Sequence, residues 1–504
     1  MDRSDAPASL WPVGMQSSVV LAFDVAPPAA QCLTARSLAQ SDGAALRLGH
    51  FCSRTTFNDL PPEVVTRAKR HILDTFGAAL AGSAAIEPRA VMRMLAAEPS
   101  VGSSPAWGTT HVLGSRDTAF ANGVAAHALE LDDTGGCDHS GAVVLPAALA
   151  ALSVPVLQAR VVSGRDLITA VVLGYDVSRR VLEACGGYSP HNGKGWHSTA
   201  TCGTFGAAAA VAHLFRLDAE RTTSALGHAA SFSGGLWAFI HDASQTKRLH
   251  AGRAAEGGFT AALLAAQGVT GAAQVFDDVW GGFFNAFASE SKQPEALLAE
   301  AGSVWKLMRC AIKPHASCRS NHSTIDAVLH LMAAHPGLAQ QVAHIDVRLS
   351  SFVMDMCGGR DLATLSSTQM SLPYAVAISW IFGDAGLARY LAPARGNARI
   401  AAAMSLVRLH VDAHMQALEE PTVSITSTSG AVVSHHVPIP LGAPANPVSD
   451  AVLRAKFDAL ATVVLPRDRA DALADHVLHL DEIDDARALL PLLAGHAAQH
   501  ESIH

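Results

Sequence analysis

The chain of 504 residues is long enough for two or more domains, and with 49% apolar and 16% charged residues it is composed for a large core, not for disorder. Aromatic residues are only 6% while Ala and Gly are heavily used, which favours closely packed helices over a β-sandwich. The net charge of −8 and the lack of any Lys/Arg-rich run exclude a nucleic-acid footprint, and they require that an anionic substrate be held by a local positive pocket.

The first 44 or so residues lack the charged, apolar and small-residue order of a signal peptide, and Asp2, Asp5 and Asp24 argue against a transit peptide. Residues 1–44 therefore read as a poorly ordered extension. No apolar run reaches the ~18 residues of a membrane span, so no membrane partner is expected and the cytoplasm is the default location. The cysteines are scattered without a C-x-x-C pair and read as reduced thiols.

Regular structure is expected from about Ala44. Asn58–Glu63 carries a capping side chain, two prolines and an acid, which predicts a helix running to a stop at Gly82. Helical spacing follows at Thr118–Leu131, Val143–Leu157, Asp166–Ala184 and Gly203–Phe215. Beyond Trp305 the pattern changes. His344–Phe352, Pro421–Ser427 and Gly430–Pro438 read as strands, with a hairpin turn at Ser429-Gly430. Helices are expected again at Asp450–Leu465 and Ala470–Leu480. The fold class is thus mainly α with an α+β lid: a helical domain over 45–305, an inserted α+β domain over 306–445, and a return to the helical domain over 446–504.

Four segments carry the polar chemistry. His127–Ser140 places Glu130, Asp132, Asp133, Thr134, Asp138 and His139 around Gly135-Gly136. Glu130 and Asp133 would share a helix face if the helix persists; the bland alternative is a capping or acidic surface loop. Gly193–Thr201 sets His197 before an Ala/Gly-rich helix, either to receive a carboxylate or simply as a cap. Ser244–Arg253 holds Lys247, Arg248, His250 and Arg253, suited to a di- or tricarboxylate or to a solvated face. Ile312–His322 carries His315 at the opening of the α+β region, across an expected cleft or at an ordinary helix start. Phosphate-loop, dinucleotide and nucleophile-elbow motifs are absent, so no cofactor is expected. His500–His504 spells H-E-x-x-H, but nothing after it supplies a third zinc ligand.

Seven stretches in order, ELDDT at 130–134, HSGAVVLPAALA at 139–150, GWHSTATCGTFGAAAA at 195–210, TKRLHAGRAAEGG at 246–258, WGGFF at 280–284, KPHASC at 313–318 and QMSLPYAVA at 369–377, resemble the MmgE/PrpD family. That family includes 2-methylcitrate dehydratases, cis-aconitate decarboxylases and iminodisuccinate epimerases. The resemblance covers roughly residues 45–490. It implies a helical domain with an α+β lid, a homodimer, and a site between the two parts for a small polycarboxylate. It also implies that the pocket acids are Glu130, Asp132 and Asp133, followed by Thr134. The pocket histidines are then His139, His197 and His315, and the pocket lysine is Lys247. Two positions depart from the family pattern. Glu130 stands where Asp is common, a longer side chain that displaces a carboxylate by roughly an ångström unless the loop adjusts. Ser140 stands where many members have Pro.

These residues suit a lyase that moves a proton at carbon while negative charge develops on a neighbouring carboxylate. His139 and His315 are expected to serve as general acid and base. Lys247, His197 and Thr134 are expected to bind carboxylates, and Glu130 and Asp132 to orient the set. The alternatives are epimerisation of a dicarboxylate, a ligand-binding homologue without activity, and a hydrolase or lyase holding a metal on His127, Glu130, Asp132 and His139.

Overall fold

The computed structural model describes residues 43–495, apart from Ala243 and the side chains of Val156 and Gln158. The expectations for most of the N-terminal extension and for the H-E-x-x-H run lie outside these residues. Among the described residues no helix is long and apolar enough to cross a membrane.

The fold is mainly helical with a small sheet. Helices Pro62–Gly82, Ser115–Ala126, Gly141–Ala151, Gly164–Ala184, Gly203–Leu214, Ala219–Phe232 and Thr246–Ala266 share one large core. Leu453 and Phe457 of helix Asp450–Ala461 and Leu473 of helix Arg467–Leu478 enter the same core as Ile72 and Phe76. The C-terminal segment therefore returns to the helices, as its periodicity predicts. Proline is responsible for one sharp start: Pro61 precedes helix Pro62–Gly82, where missing N–H groups cost nothing. The Asp59 cap belongs instead to a separate short turn, Phe57–Asp59, which it closes with Thr56.

Small residues let the helices meet backbone to backbone. A Cβ built on Gly206 would lie 2.4 Å from the carbonyl oxygen of Gly174 on the neighbouring helix, and one on Gly258 would lie 2.4 Å from Thr204 O. The Ala/Gly crowding of 203–215 thus serves close approach.

The sheet has four strands in the order Val407–Val411, Val342–Leu349, Thr422–Ser427, Val432–His436. The first pair is parallel and the other two are antiparallel, with Ile345 opposite Ile425 and Val423 opposite His435. The alternating burial of Thr422–Ser427 places Val423 and Ile425 inward, against Val328 and Leu331 of helix His322–Ala334. Three strands were legible from alternation. The fourth, Val407–Val411, was not, because it lies at the sheet edge and only Val407 is buried. The expected strand His344–Phe352 ends at Leu349, where Ser350 caps a short helix, Ser351–Cys357. Helix Ser115–Ala126 stops five residues before the expected Leu131, which reshapes the site described next.

We predict that Gly206→Ala destabilises the protein by about 1–3 kcal/mol, because the methyl has a backbone carbonyl in its path. Gly193→Ala, where an added Cβ meets nothing within 4 Å, should change stability far less. Urea denaturation of the two variants checks the difference.

Candidate active site

The segment His127–Ser140 is a buried loop, not a continued helix. Beyond Ala126 the chain alternates: Ala128, Leu129 and Leu131 enter an apolar cluster with Ile325, Tyr374 and Leu460, while Glu130 faces a cavity. Glu130 achieves this with a left-handed backbone, φ 52°, so the expected sharing of a helix face with Asp133 does not occur. Asp138, at φ 112°, is the second strained residue of the loop. Two positions that ordinarily favour glycine are held by acids, at a cost of roughly 1–3 kcal/mol each.

Glu130 is buried among three cations. Its Oε1 accepts from Lys247 and Arg248, and its Oε2 lies 3.1 Å from Lys313 Nζ. Lys313 also donates to the Glu130 backbone carbonyl at 3.3 Å. Burial alone would raise the Glu130 carboxyl, but Lys247, Lys313 and Arg248 outweigh it and hold it well below its usual range. Burial likewise works against the Lys313 charge, and Glu130 with Asp132 reverses the effect. Three cations on one carboxylate leave a positive excess, the local pocket that the net charge demands.

The histidines form a second group. Asp132 Oδ2 accepts from His127 Nδ1 at 2.9 Å and lies 3.0 Å from His139 Nδ1. His139 Nδ1 also donates to the Asp133 carbonyl at 2.8 Å. Both partners of Nδ1 are acceptors only, so the proton resides there and Nε2 is the nitrogen that titrates. Nε2 lies 3.5 Å from Asp138 Oδ2. Burial would lower the His139 pKa, but Asp138 and Asp132 outweigh it and raise it above 6.5. The neighbours go the other way. Burial pushes His127 down to about 4, and burial with His250 and Lys247 pushes His197 well below 6.5. His197 is fully buried, bonded at Nδ1 to His250 Nδ1 at 2.9 Å, with Nε2 3.9 Å from Asp138. Asp132 stays ionised against the penalty of burial because His127 and His139 both face it.

A cavity of about 390 Å³ opens between this loop and the sheet-bearing part. Glu130, Thr134, Asp138, His139, Lys247 and Lys313 line it, with Arg179, Arg309 and Arg319 also in the wall. Thr134 donates to Asp138 Oδ1 at 3.1 Å, so it holds that carboxylate in place, and its backbone pairs with Ala311 across the cavity rim. Of the residues singled out in the sequence, Glu130, Asp132, Thr134, His139 and Lys247 come together here, and His197 lies behind them. His315 is placed differently. It sits between two wall residues, Lys313 and Cys318, but is not itself in the wall, and its Nε2 is bonded to Asp326 at 2.8 Å.

One group among the described residues has metal-ligating atoms within 4.8 Å of one another: His127, Asp132 and His139. Glu130 is not part of it, because the three cations hold its carboxylate. In this arrangement the two imidazoles already spend Nδ1 on the Asp132 carboxylate.

Residues 46–296 match the family model described as the MmgE/PrpD N-terminal domain, and residues 315–482 match that of the MmgE/PrpD C-terminal domain. The chain belongs to the MmgE/PrpD family. Among curated relatives, the cis-aconitate decarboxylase of Aspergillus terreus is 29% identical over 475 residues, covering 90% of this chain and 96% of the relative. The cis-aconitate decarboxylase-like protein oryM of Aspergillus oryzae is 29% identical over 462 residues, 87% of this chain and 94% of its own. The human cis-aconitate decarboxylase is 28% identical over 462 residues, 89% of this chain and 92% of its own.

In this MmgE/PrpD site Lys313 and Gln369, like Arg179 and Arg309 of the wall, were not singled out from the sequence. Lys313 stands two residues before His315, and its role was hidden because its carboxylate partner lies 183 positions away. Gln369, within the quoted QMS stretch, is fully buried and donates to Leu129 O at 2.6 Å and Ala316 O at 3.0 Å. It ties the acidic loop to the His315 segment. The signal in the sequence was a polar residue three positions before the apolar helix Leu372–Phe382.

Glu130→Gln keeps the volume and removes the charge, leaving buried Lys313 without a counter-ion. We predict a loss of about 3–5 kcal/mol at neutral pH, measured by urea denaturation. In the unsubstituted protein the folded carboxyl titrates below its ordinary 4.5, so its contribution is complete above that pH and is lost as pH falls below it. The gap between the two proteins should therefore close in acid.

Proposed function

We propose that this chain is a lyase that decarboxylates a small tricarboxylate of the cis-aconitate kind, by acid–base catalysis with its own side chains and no cofactor. The observation that carries the reading is His139. It is a buried imidazole with Nδ1 committed to acceptors and a raised pKa, in the same wall as Lys247 and Lys313. The names of the Aspergillus, mouse and human relatives support the same class of substrate and reaction.

In this mechanism the substrate carboxylates are drawn to the edge of the Lys247–Glu130–Lys313 group, with Arg179, Arg309 and Arg319 in reach of the same cavity. Breaking the carbon–carboxylate bond releases CO2 and leaves the electron pair on carbon. Conjugation spreads it into a neighbouring carboxylate, whose growing charge Lys247 stabilises. His139, whose protonated form Asp138 and Asp132 favour, delivers its Nε2 proton to the carbon. One proton is consumed for each CO2 released. Asp132 fixes the imidazole and Thr134 fixes Asp138, while His197, expected from the sequence to bind a carboxylate, lies fully buried behind the wall and backs this group. His315 is assigned as the second acid–base group, carried on the segment that also supplies Lys313. With this reading go the lid over 306–445 and a cytoplasmic location, both expected from the sequence pattern, and a homodimer, which the family resemblance implies.

Incubation with cis-aconitate, methylcitrate and iminodisuccinate in deuterated water, followed by NMR, tests the reaction. We expect CO2 loss from the aconitate with one deuterium on carbon; water loss or bare proton exchange instead would overturn decarboxylation. His139→Ala and His315→Ala should each lower kcat by ~10²–10⁴-fold. Full activity after metal chelation is expected, and its abolition would favour a metal on His127, Asp132 and His139.

The pH profile carries a further prediction. Because Asp138 and Asp132 raise the His139 pKa above its ordinary 6.5, the general acid is present below that raised pKa and is lost as pH rises through it. Turnover should fall on the alkaline side, and His139→Ala should abolish that limb.

A further inference from the structure

A second cavity, of about 360 Å³, adjoins the first. The two share Tyr188, Trp237, Phe352 and Met356, so these four side chains stand between them. Trp237 is fixed in this shared wall: its indole N–H donates to Asn192 Oδ1 at 2.7 Å, and its ring meets His197 edge-on with centroids 5.1 Å apart.

The chemistry of the two walls differs. Five cations, Arg179, Lys247, Arg309, Lys313 and Arg319, line the first cavity. The second has no lysine or arginine in its wall, and its one carboxylate is Asp355. A carboxylate entering it would leave five cations for none and would meet a like charge. A hydrocarbon entering it would meet Trp237, Ile240, Phe352 and Met356, the last a flexible thioether that adapts to irregular chains.

We propose that this annex receives an alkyl chain of the substrate, so that the preferred acid is a tricarboxylate bearing an unbranched hydrocarbon substituent and not the bare six-carbon acid. This rests on the reading of the first cavity as the polycarboxylate site. Burial of each methylene, at about 0.8 kcal/mol, corresponds to roughly a fourfold gain in affinity. A substituent of two to four carbons therefore gives a large and graded effect.

Titration calorimetry with unreactive saturated acids separates binding from turnover. The probes are propane-1,2,3-tricarboxylate and its ethyl- and butyl-substituted forms. The expected result is a stepwise rise in affinity with chain length, about fourfold per methylene. Gly193 lines the annex at a point where an added Cβ meets nothing within 4 Å, so Gly193→Phe places a ring in its space. That variant should abolish the rise with chain length. Ala417→Phe, at a residue that lines the annex and not the first cavity, provides an independent block if Gly193→Phe folds poorly. Affinity that is flat or falling with chain length would overturn the proposal, as would a rise that both variants leave intact. Turnover of the matching alkylated cis-aconitates is read separately. A chain-length gain in binding without CO2 release leaves the annex standing and removes the decarboxylase reading. CO2 release from cis-aconitate without such a gain removes the annex alone.

Discussion

The carboxylate of Glu130 is the point on which the site closes. Three cations reach it from two remote stretches of chain: Lys247 and Arg248 from the start of helix Thr246–Ala266, and Lys313 from the segment leading into the sheet-bearing part. No one of these charges would survive burial alone, since an unpaired buried ion costs several kcal/mol. Each is paid for only when the other segments are in place. The pairing therefore makes the geometry of the cavity cooperative with folding. It also explains how a chain of net charge −8 presents a positive wall to an anion. The single negative charge needed to gather the cations is smaller than the charge it gathers.

The loop bearing Glu130 obeys a second constraint from behind. Leu129 and Leu131 are sunk in an apolar cluster, so the residues between and beside them turn toward polar surroundings. Lys456, from helix Asp450–Ala461, donates to Leu131 O at 2.7 Å and pairs with Asp74 Oδ1 at 2.6 Å. Gln369 holds Leu129 O from the other side. The backbone on either side of Glu130 is thus satisfied by residues far away in sequence, which supports its positive φ.

Much of this was legible from the sequence, for identifiable reasons. Helix periodicity and Ala/Gly crowding revealed the close-packed body, and alternation revealed three strands. The density of acids and histidines between 127 and 140 marked the loop, and the local run of Lys247 and Arg248 marked the cations, though as partners of a substrate carboxylate and not of Glu130. What stayed hidden depends on contacts that no local pattern encodes. Helix Ser115–Ala126 ends where tertiary packing takes over, and the apolar spacing at Leu129 and Leu131 mimics a continued helix. Lys313 reads as one more surface lysine until Glu130 is placed against it. The longer acid at 130 also gains a physical meaning: its two oxygens are divided between the Lys247–Arg248 side and the Lys313 side.

Four imidazoles crowd this centre, and the structure assigns them unequal protonation. His127, His197 and His250 are each driven down by burial first, with neighbouring cationic groups adding to it at His197 and His250. At His127 the Asp132 carboxylate opposes burial without overcoming it. His139 suffers the same burial but faces two carboxylates, Asp138 on Nε2 and Asp132 on Nδ1, and it alone of the four is raised. The strained backbone at Asp138 has its counterpart here. The left-handed turn brings that carboxylate to the nitrogen on the cavity side, and Thr134 holds it there. A proton is thereby concentrated on one nitrogen among eight, beside the cations that would receive the substrate. Selective protonation of this kind needs no unusual residue. It needs a second carboxylate, Asp138, positioned at a cost in backbone strain beside a histidine that already faces Asp132.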